Sequence, residues 1–244
     1  MQITTSLSPH DPLPSLSVDV AIVIDVLRAT TVMTTAMASG ANQITTVAEI
    51  SEAFAIAQNA QTRPLLCGER HCKPIDGFDF GNSPSDYVRS TVGDRNLVLT
   101  TTNGTQAIVR NESARQMLAV SFLNLSATAM EVAHANTVHL VCAGTNGSIS
   151  GEDVLLAGAV VEKLMSKQPS AQACDSSRIA QAFWNNNPKR MPLEDRLRES
   201  LGARNLIRLG MTSDIGLCAA VDQASVIVRR VRRVPATFVG EMIR

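Results

Sequence analysis

The apolar residues of this chain gather in short runs separated by polar turns. The sharpest run lies between Asp19 and Val26 and is interrupted only by Asp25. It is rich in Val and Ile and far too short to cross a membrane, which predicts a strand buried on both faces with Asp25 at its carboxyl end. Arg28, Thr30 and Thr31 follow at once, and an Ala/Thr/Met helix is predicted from there to Gly40. Weak alternation predicts an opening strand at 2–7, and further strands are predicted at 43–47, 64–67, 96–100, 116–120 and 137–143. Between them Ile50, Ala53, Phe54 and Ala57 recur with the spacing of an amphipathic helix. Residues 125–135, rich in Ala, and apolar residues 154–165 predict two more helices.

The last third changes character. Ile179, Ala182 and Phe183 mark a helix that Pro188 ends, and Pro192 sits in the first turn of another with Leu193, Leu197 and Leu201 on one face. Short helices are predicted at 205–209 and 214–220, and strand-like Val and Ile fill 225–239. Alternating strands and helices imply one α/β domain spanning 1–244. Its expected form is three-layer α/β/α, with a mostly parallel or mixed central sheet and a helical C-terminal portion. The basic run at 229–233 is expected on a solvated sheet edge, where it would resist strand pairing.

Composition narrows the partners. Lys plus Arg and Asp plus Glu both number 22, so no global field draws nucleic acid or a membrane, and an anionic ligand must be held locally. Six Phe, one Tyr and one Trp are too few for base-stacking platforms along a single strand. Five cysteines without a C-x-x-C pair argue against a disulfide framework or a zinc ribbon. The leading MQITTSLSPHD has neither a positive n-region nor an apolar h-region, so no signal peptide and a cytoplasmic location are expected.

Three strand-to-helix junctions, 25–31, 100–105 and 144–153, share one format: an apolar strand, a polar turn, then a helix. If their strands run parallel, the turns share the carboxyl edge of the sheet, where open α/β sheets collect ligands. Each helix start there adds free N–H groups and a positive dipole end. The long polar loop 67–87, carrying Glu69, Arg70, Asn82 and Ser83, leaves another strand end and could close over that edge. Asp25, Glu69, Glu152 and Asp153 offer oxygen ligands for a hard cation such as Mg²⁺. Arg28 and Arg70 offer bidentate clamps for phosphate or carboxylate. Thr30, Thr31, Ser83, Thr101, Thr102 and Asn103 add neutral donors, and the glycine turns add backbone N–H groups. This set suits a small, multiply charged anion such as a phosphate ester.

Each feature has a purely structural alternative. Asp25 could cap its helix with Arg28 as partner, Asn103–Gly104 could be a simple turn, and Glu152 and Asp153 could satisfy a helix dipole. Glu69–Arg70 could be a surface ion pair worth about 0–1 kcal/mol. Known phosphate schemes are missing: there is no G-x-x-x-x-G-K-[ST], no G-x-G-x-x-G after a strand, and no Cys with Arg six residues later. Leu27 stands where a second aspartate would follow Asp25 in a haloacid-dehalogenase phosphatase, and Cys72 stands where a histidine phosphatase would carry Gly after Arg70–His71. His10, His134 and His139 lie in unremarkable contexts, so a histidine-centred mechanism is not expected.

Four polar blocks in order, DVLRATT from Asp25, GER with GF-x-x-GNSP from Gly68, TTNGT from Thr101, and CAGT-x-G with S-x-ED from Cys142, resemble the 2-phosphosulfolactate phosphatases. RNLIRLG and DIGLCAAVD, from Arg204 and Asp214, resemble that family's C-terminal signature, so the likeness spans 19–222. It implies a three-layer fold and Mg²⁺-dependent hydrolysis of 2-phospho-3-sulfolactate to 3-sulfolactate and phosphate, a step of coenzyme M biosynthesis. It further implies Asp25, Glu69 and Asp153 as metal ligands and Asp25, Arg28, Glu69 and Arg70 as catalytic residues. Thr30, Thr31, Asn82, Ser83, Thr102, Asn103, Gly104 and Thr105 are the expected substrate contacts. Water would attack in line, oriented by Asp25 or Glu69, or a phosphoenzyme would form on Asp25. The expected partner is a small-molecule phosphate ester, without nucleic acid or membrane, and a homodimer would be unsurprising. The alternative is a non-catalytic small-anion-binding protein; the carboxylate cluster favours an enzyme.

Overall fold

The structure, a computed structural model, describes residues 1–14 and 17–243. Among these, eleven strands form one mixed sheet. In chain order they are β1 (Gln2–Ser6), β2 (Val20–Ile24), β3 (Gln43–Thr46), β4 (Leu65–Arg70), β5 (Lys73–Pro74), β6 (Asn96–Thr100), β7 (Gln116–Val120), β8 (Thr137–Cys142), β9 (Gln172–Ala173), β10 (Val226–Arg232) and β11 (Ala236–Met242). The helices are α1 (Ala29–Ala38), α2 (Ile50–Asn59), α3 (Arg89–Val92), α4 (Gly104–Arg110), α5 (Leu125–Glu131), α6 (Gly151–Lys167), α7 (Asp175–Asn185), α8 (Leu193–Arg198), α9 (Leu201–Arg208) and α10 (Ser213–Cys218). No helix among the described residues is long and apolar enough to cross a membrane.

Across the sheet the order is β5-β4-β6-β3-β11-β10-β7-β2-β8-β1-β9. Strands β7, β2, β8, β1 and β9 are mutually parallel, as are β4, β6 and β3. The hairpin β10–β11 sits between the two groups, with β10 antiparallel to β7 and β11 antiparallel to β3. The two parallel groups therefore run in opposite directions.

This placement overturns the edge expected for 229–233 at Arg229 and Arg230, while Val231, Arg232 and Arg233 are exposed as expected. Val226 and Val228 of β10 and Phe238 of β11 join the core around α1, which draws the hairpin to the middle of the sheet despite its charge. Arg230 is buried and donates to the carbonyls of Glu112 (3.0 Å) and Ala114 (2.7 Å). Arg229 pairs with Glu131 and Glu241. These partners meet the charges, as a sheet interior requires.

Strand β2 is buried at every position because it packs on both faces. Ile22 and Ile24 face the core under α6, while Val23 faces α1. The sheet curls round α1, so Val32, Met33, Ala36 and Met37 meet Ala119 from one strand group and Ile44, Leu97 and Leu99 from the other. A helix enclosed this way needs small or slender side chains all round, which accounts for its Ala/Thr/Met composition. Each fully buried aliphatic side chain contributes about 1.5–3 kcal/mol to holding these layers together. Helix α2 covers the far side of β3, β4 and β6, packing Ala53 and Phe54 on Val47, Leu66 and Val98. The helices thus flank the sheet on both faces, as expected.

Two boundaries differ from the sequence reading. Leu201 does not continue the helix of Leu193 and Leu197; it opens α9, whose N-cap Ser200 accepts the Ala203 N–H at 3.2 Å. The segment 67–87 is not one long loop at its start. Strand β4 continues to Arg70 and turns through His71 and Cys72, both at positive φ, into β5, as a two-residue hairpin requires.

Candidate active site

In a flat sheet the carboxyl ends of β2 and β6 would point apart, because their groups run in opposite directions. Five steps of the strand order separate them. Twist of about 20–25° per step accumulates to roughly 100–125° over that distance, and with the curl round α1 it brings the two ends together. The turns after β2 and β8 therefore converge as parallel neighbours should, whereas the turn after β6 joins them for a different reason.

Hydrogen bonds record where the turns meet. Thr102 N–H, after β6, donates to Glu69 Oε1 at 2.8 Å, and Cys72 N–H donates to Glu69 Oε2 at 2.6 Å. Asn146 N–H reaches Asn103 Oδ1 at 3.3 Å. Asp153, in the first turn of α6, accepts Val26 N–H on Oδ1 and Gly144 N–H on Oδ2, each at 2.9 Å, and so ties the turns after β2 and β8 together. Gly104 allows the closest approach: a Cβ there would stand 2.8 Å from both Ala29 Cβ and Asp25 Oδ2.

These turns enclose a cleft of about 250 Å³. Of the sequence-predicted residues, Asp25, Arg28, Glu69, Asn82, Thr102 and Asn103 line it. Asp25 and Glu69 lie deep, each 7% exposed. Asp25 Oδ1 accepts Ala29 N–H at 3.1 Å, capping the helix as its structural alternative required, while Oδ2 accepts no hydrogen bond among the described residues. Asn82 is also buried, and its Oδ1 has no partner among the described residues. A buried acceptor left unpaired costs about 1–3 kcal/mol, so this amide is set for a group that enters the cleft.

Arg28 lines the wall but is already paired. Its Nη1 donates to Asp214 Oδ2 at 2.6 Å, and its Nη2 donates to the Cys72 carbonyl at 3.2 Å. Arg70 points elsewhere, to the carbonyls of Glu69 (2.9 Å) and Ala48 (2.7 Å) and to Thr100 Oγ1 (2.9 Å). Thr30 and Thr31 are buried and bond back to the carbonyls of Asp25 and Val26 at 2.9 and 2.8 Å. Ser83 donates to Asp214 Oδ1 at 2.7 Å, and Thr105 Oγ1 accepts Thr101 N–H at 3.1 Å. Arg70, Thr30, Thr31, Ser83, Gly104 and Thr105 therefore brace the turns and do not line the cleft.

The cleft also holds residues to which the sequence reading gave no role, among them His71, Cys72, Thr145, Asn146, Asn205 and Arg208. The RNLIRLG block carried Asn205 and Arg208 in plain view, but spacing alone could not say that α9 packs on Glu152 of α6 and so shares a cleft with the turns after β4 and β6. Asp214 was missed for the same reason. A buried Arg28 requires an acid partner; the sequence offered nearby Asp25, and the fold supplies Asp214 instead.

Charge is concentrated at the floor. Burial pushes the Asp25 carboxyl up to about 7, and the charges of Glu69 and Glu152 add to the rise, against the Ala29 N–H and Arg28. Burial and the charges of Glu152 and Asp25 hold Asp153 well above the ordinary carboxylate range, against its two amide donors. Glu152 is raised by burial, opposed chiefly by the Ser150 hydroxyl at 2.6 Å. An acid poised near neutrality can exchange a proton with a reacting group.

Among the described residues no three or more His, Cys, Asp or Glu side chains form a ready-made metal cluster. Magnesium needs no such cage, since one or two carboxylates with water and phosphate oxygens complete its shell. Hard oxygen donors with surplus negative charge, an open Asp25 Oδ2 and an unpartnered Asn82 Oδ1 fit that requirement.

Comparisons with known proteins agree with one another. The family model described as 2-phosphosulpholactate phosphatase matches residues 6–232. A Thermotoga petrophila protein named "Probable 2-phosphosulfolactate phosphatase" is 41% identical over 202 residues, 83% of this chain and 85% of its own length. Proteins with the same name from Caldanaerobacter subterraneus (39% identity, 84% of this chain, 85% of theirs) and Pseudothermotoga lettingae (39%, 88% and 91%) align as extensively.

Proposed function

The chain belongs to the 2-phosphosulfolactate phosphatase family, and from that premise we propose that it hydrolyses 2-phosphosulfolactate, or a closely related 2-phosphorylated carboxylic acid, to the 2-hydroxy acid and phosphate, as in coenzyme M biosynthesis. One observation carries the reading to this site: Asp25, raised to about 7, presents an uncommitted Oδ2 at the floor of a small polar cleft. Mg²⁺ would be held there by Asp25 and Glu69 with the Asn82 oxygen, and would neutralise phosphoryl charge. Asp153, with each oxygen accepting an amide, joins the turns and adds negative charge behind them.

The chain's own groups then divide the work. Asp25, at Oδ2, orients the attacking water in line with the ester bond. Thr102 and Asn103 border the phosphoryl group. Arg28, fixed by Asp214, closes one wall with its charge already balanced. Glu69, held by two amides, fixes the β4–β5 turn against the turn after β6. The five cysteines are free, which supports a reducing, cytoplasmic setting.

The test is phosphate release from 2-phosphosulfolactate and 2-phospholactate, with Mg²⁺ and with chelator, by the wild type and Asp25→Asn. Turnover that chelation abolishes and Asp25→Asn reduces at least 100-fold is expected. Turnover indifferent to chelator would remove the metal from the reading. Binding without turnover would make the protein a small-anion binder.

A further inference from the structure

A phosphorylated sulfo acid brings its phosphate, its carboxylate and its sulfonate into the cleft together, all charged near neutrality. The cleft has little free positive charge to receive them. Arg28 is cancelled by Asp214 at 2.6 Å, their side chains being 3% and 4% exposed. Arg70 is turned away, and no lysine lines the cleft. Arg208 is different. It ends α9, lines the cleft, is exposed, and has no hydrogen-bond or ion-pair partner among the described residues.

The helix that carries Arg208 is firmly seated. Ala203 and Leu206 are buried on its inner side, and Gly202 packs so tightly that a Cβ there would come within 2.0 Å of Glu152 Oε1. Asn205, one turn before Arg208, lines the same wall. Depth orders the cleft: Asp25 and Glu69 are buried at the floor, and Arg208 stands at the mouth. An ester whose phosphoryl group reaches Asp25 must turn its most remote acid group outward. In 2-phosphosulfolactate that group is the sulfonate, one carbon beyond the carbon bearing phosphate and carboxylate.

We infer that Arg208, with Asn205 beside it, receives the sulfonate at the mouth of the cleft and sets the preference for sulfonate-bearing esters. This rests on the hydrolase reading above. A guanidinium fork matches two sulfonate oxygens at once, and its position outside the floor leaves the chemical step to Asp25.

The experiment compares wild type, Arg208→Ala and Arg208→Lys in Mg²⁺, with steady-state kinetics on 2-phosphosulfolactate and on 2-phospholactate, which lacks the sulfonate. Calorimetric binding of 3-sulfolactate gives a second readout. Loss of a charged hydrogen-bonding partner should raise KM for phosphosulfolactate about 10- to 150-fold in Arg208→Ala. Its kcat should change little, as should KM for phospholactate, and Arg208→Lys should recover part of the loss. Sulfolactate affinity should fall by the same factor, with an unchanged melting temperature because the side chain is exposed. Equal losses on both esters, or none on either, overturn the inference while the hydrolase reading stands. Sulfolactate binding that depends on Arg208 in a protein that frees no phosphate supports the contact and overturns the hydrolase reading. Neither turnover nor binding in the wild type overturns both.

Discussion

Asp214→Ala tests how the active-site wall is built. Asp214 is 3% exposed; its Oδ2 lies 2.6 Å from Arg28 Nη1, and its Oδ1 accepts the Ser83 hydroxyl at 2.7 Å. Removing the carboxylate leaves a guanidinium buried with only the Cys72 carbonyl at 3.2 Å and Met211 Sδ at 3.3 Å for company. Breaking one side of a buried ion pair costs about 3–5 kcal/mol, because the remaining charge is stranded. For 244 residues, an unfolding entropy of about 2.1 cal/mol/K per residue makes 1 kcal/mol equal to about 2 °C, so the melting temperature should fall by about 6–10 °C. Arg28→Met should cost a similar amount by stranding Asp214. Combining Arg28→Met with Asp214→Leu should cost far less than the sum, since a buried pair replaced by apolar groups of similar size is often near neutral. Urea unfolding of wild type, Arg28→Met, Asp214→Leu and the double variant closes the cycle. The double variant should regain stability but not phosphate release, which separates the structural role of the pair from Arg28's place on the cleft wall. Additive single losses, with coupling below about 0.5 kcal/mol, would refute the account of Arg28 as a buried, balanced charge.

Two further outcomes follow from buried titrating groups. The folded carboxyl of Asp25 sits at about 7 instead of its ordinary 3.8, so it binds its proton more tightly folded than unfolded, and stability is lost as pH rises from about 4 through 7. Asp25→Asn in chelator should therefore raise the melting temperature at pH 8, by up to about 4 kcal/mol in equivalent stability, and give little gain near pH 4; a pH-independent effect would contradict the burial account. His139 is 2% exposed, held by Thr4 Oγ1 (2.9 Å) and Ser6 Oγ (3.2 Å), and burial lowers it to about 4 from its ordinary 6.5. The unfolded chain then takes the proton first, so stability falls as pH drops from about 6.5 to 4, by about 3 kcal/mol in all, and His139→Gln should flatten that limb of the denaturation–pH curve.

The strands and helices were readable because their signals are local. The continuous apolar run of β2 and the i, i+3, i+4 stripe of α2 each depend on neighbours within one or two turns of chain. The four polar blocks, read together, also identified the family and drew Asp25, Glu69, Asn82 and Thr102 into one site before any geometry was known.

What the sequence could not decide was decided by partners distant along the chain. The basic run of β10 looked like an edge because its charges are local, while the valines that seat it centrally meet residues of α1 and of distant strands. Arg28 and Arg70 were equivalent clamps on paper. Asp214 and Ala48 assigned both, one to a balanced pair on the cleft wall and the other to a brace outside it. The free cation at the cleft mouth, Arg208, emerged only when the twisted sheet and α9 came together. The sequence by itself determined which elements form and which polar groups accompany them, since backbone propensity and apolar spacing act over a few residues. Tertiary structure alone decided which of those charges are neutralised and which remain free for a ligand, because that depends on partners that only the closed fold brings within hydrogen-bonding distance.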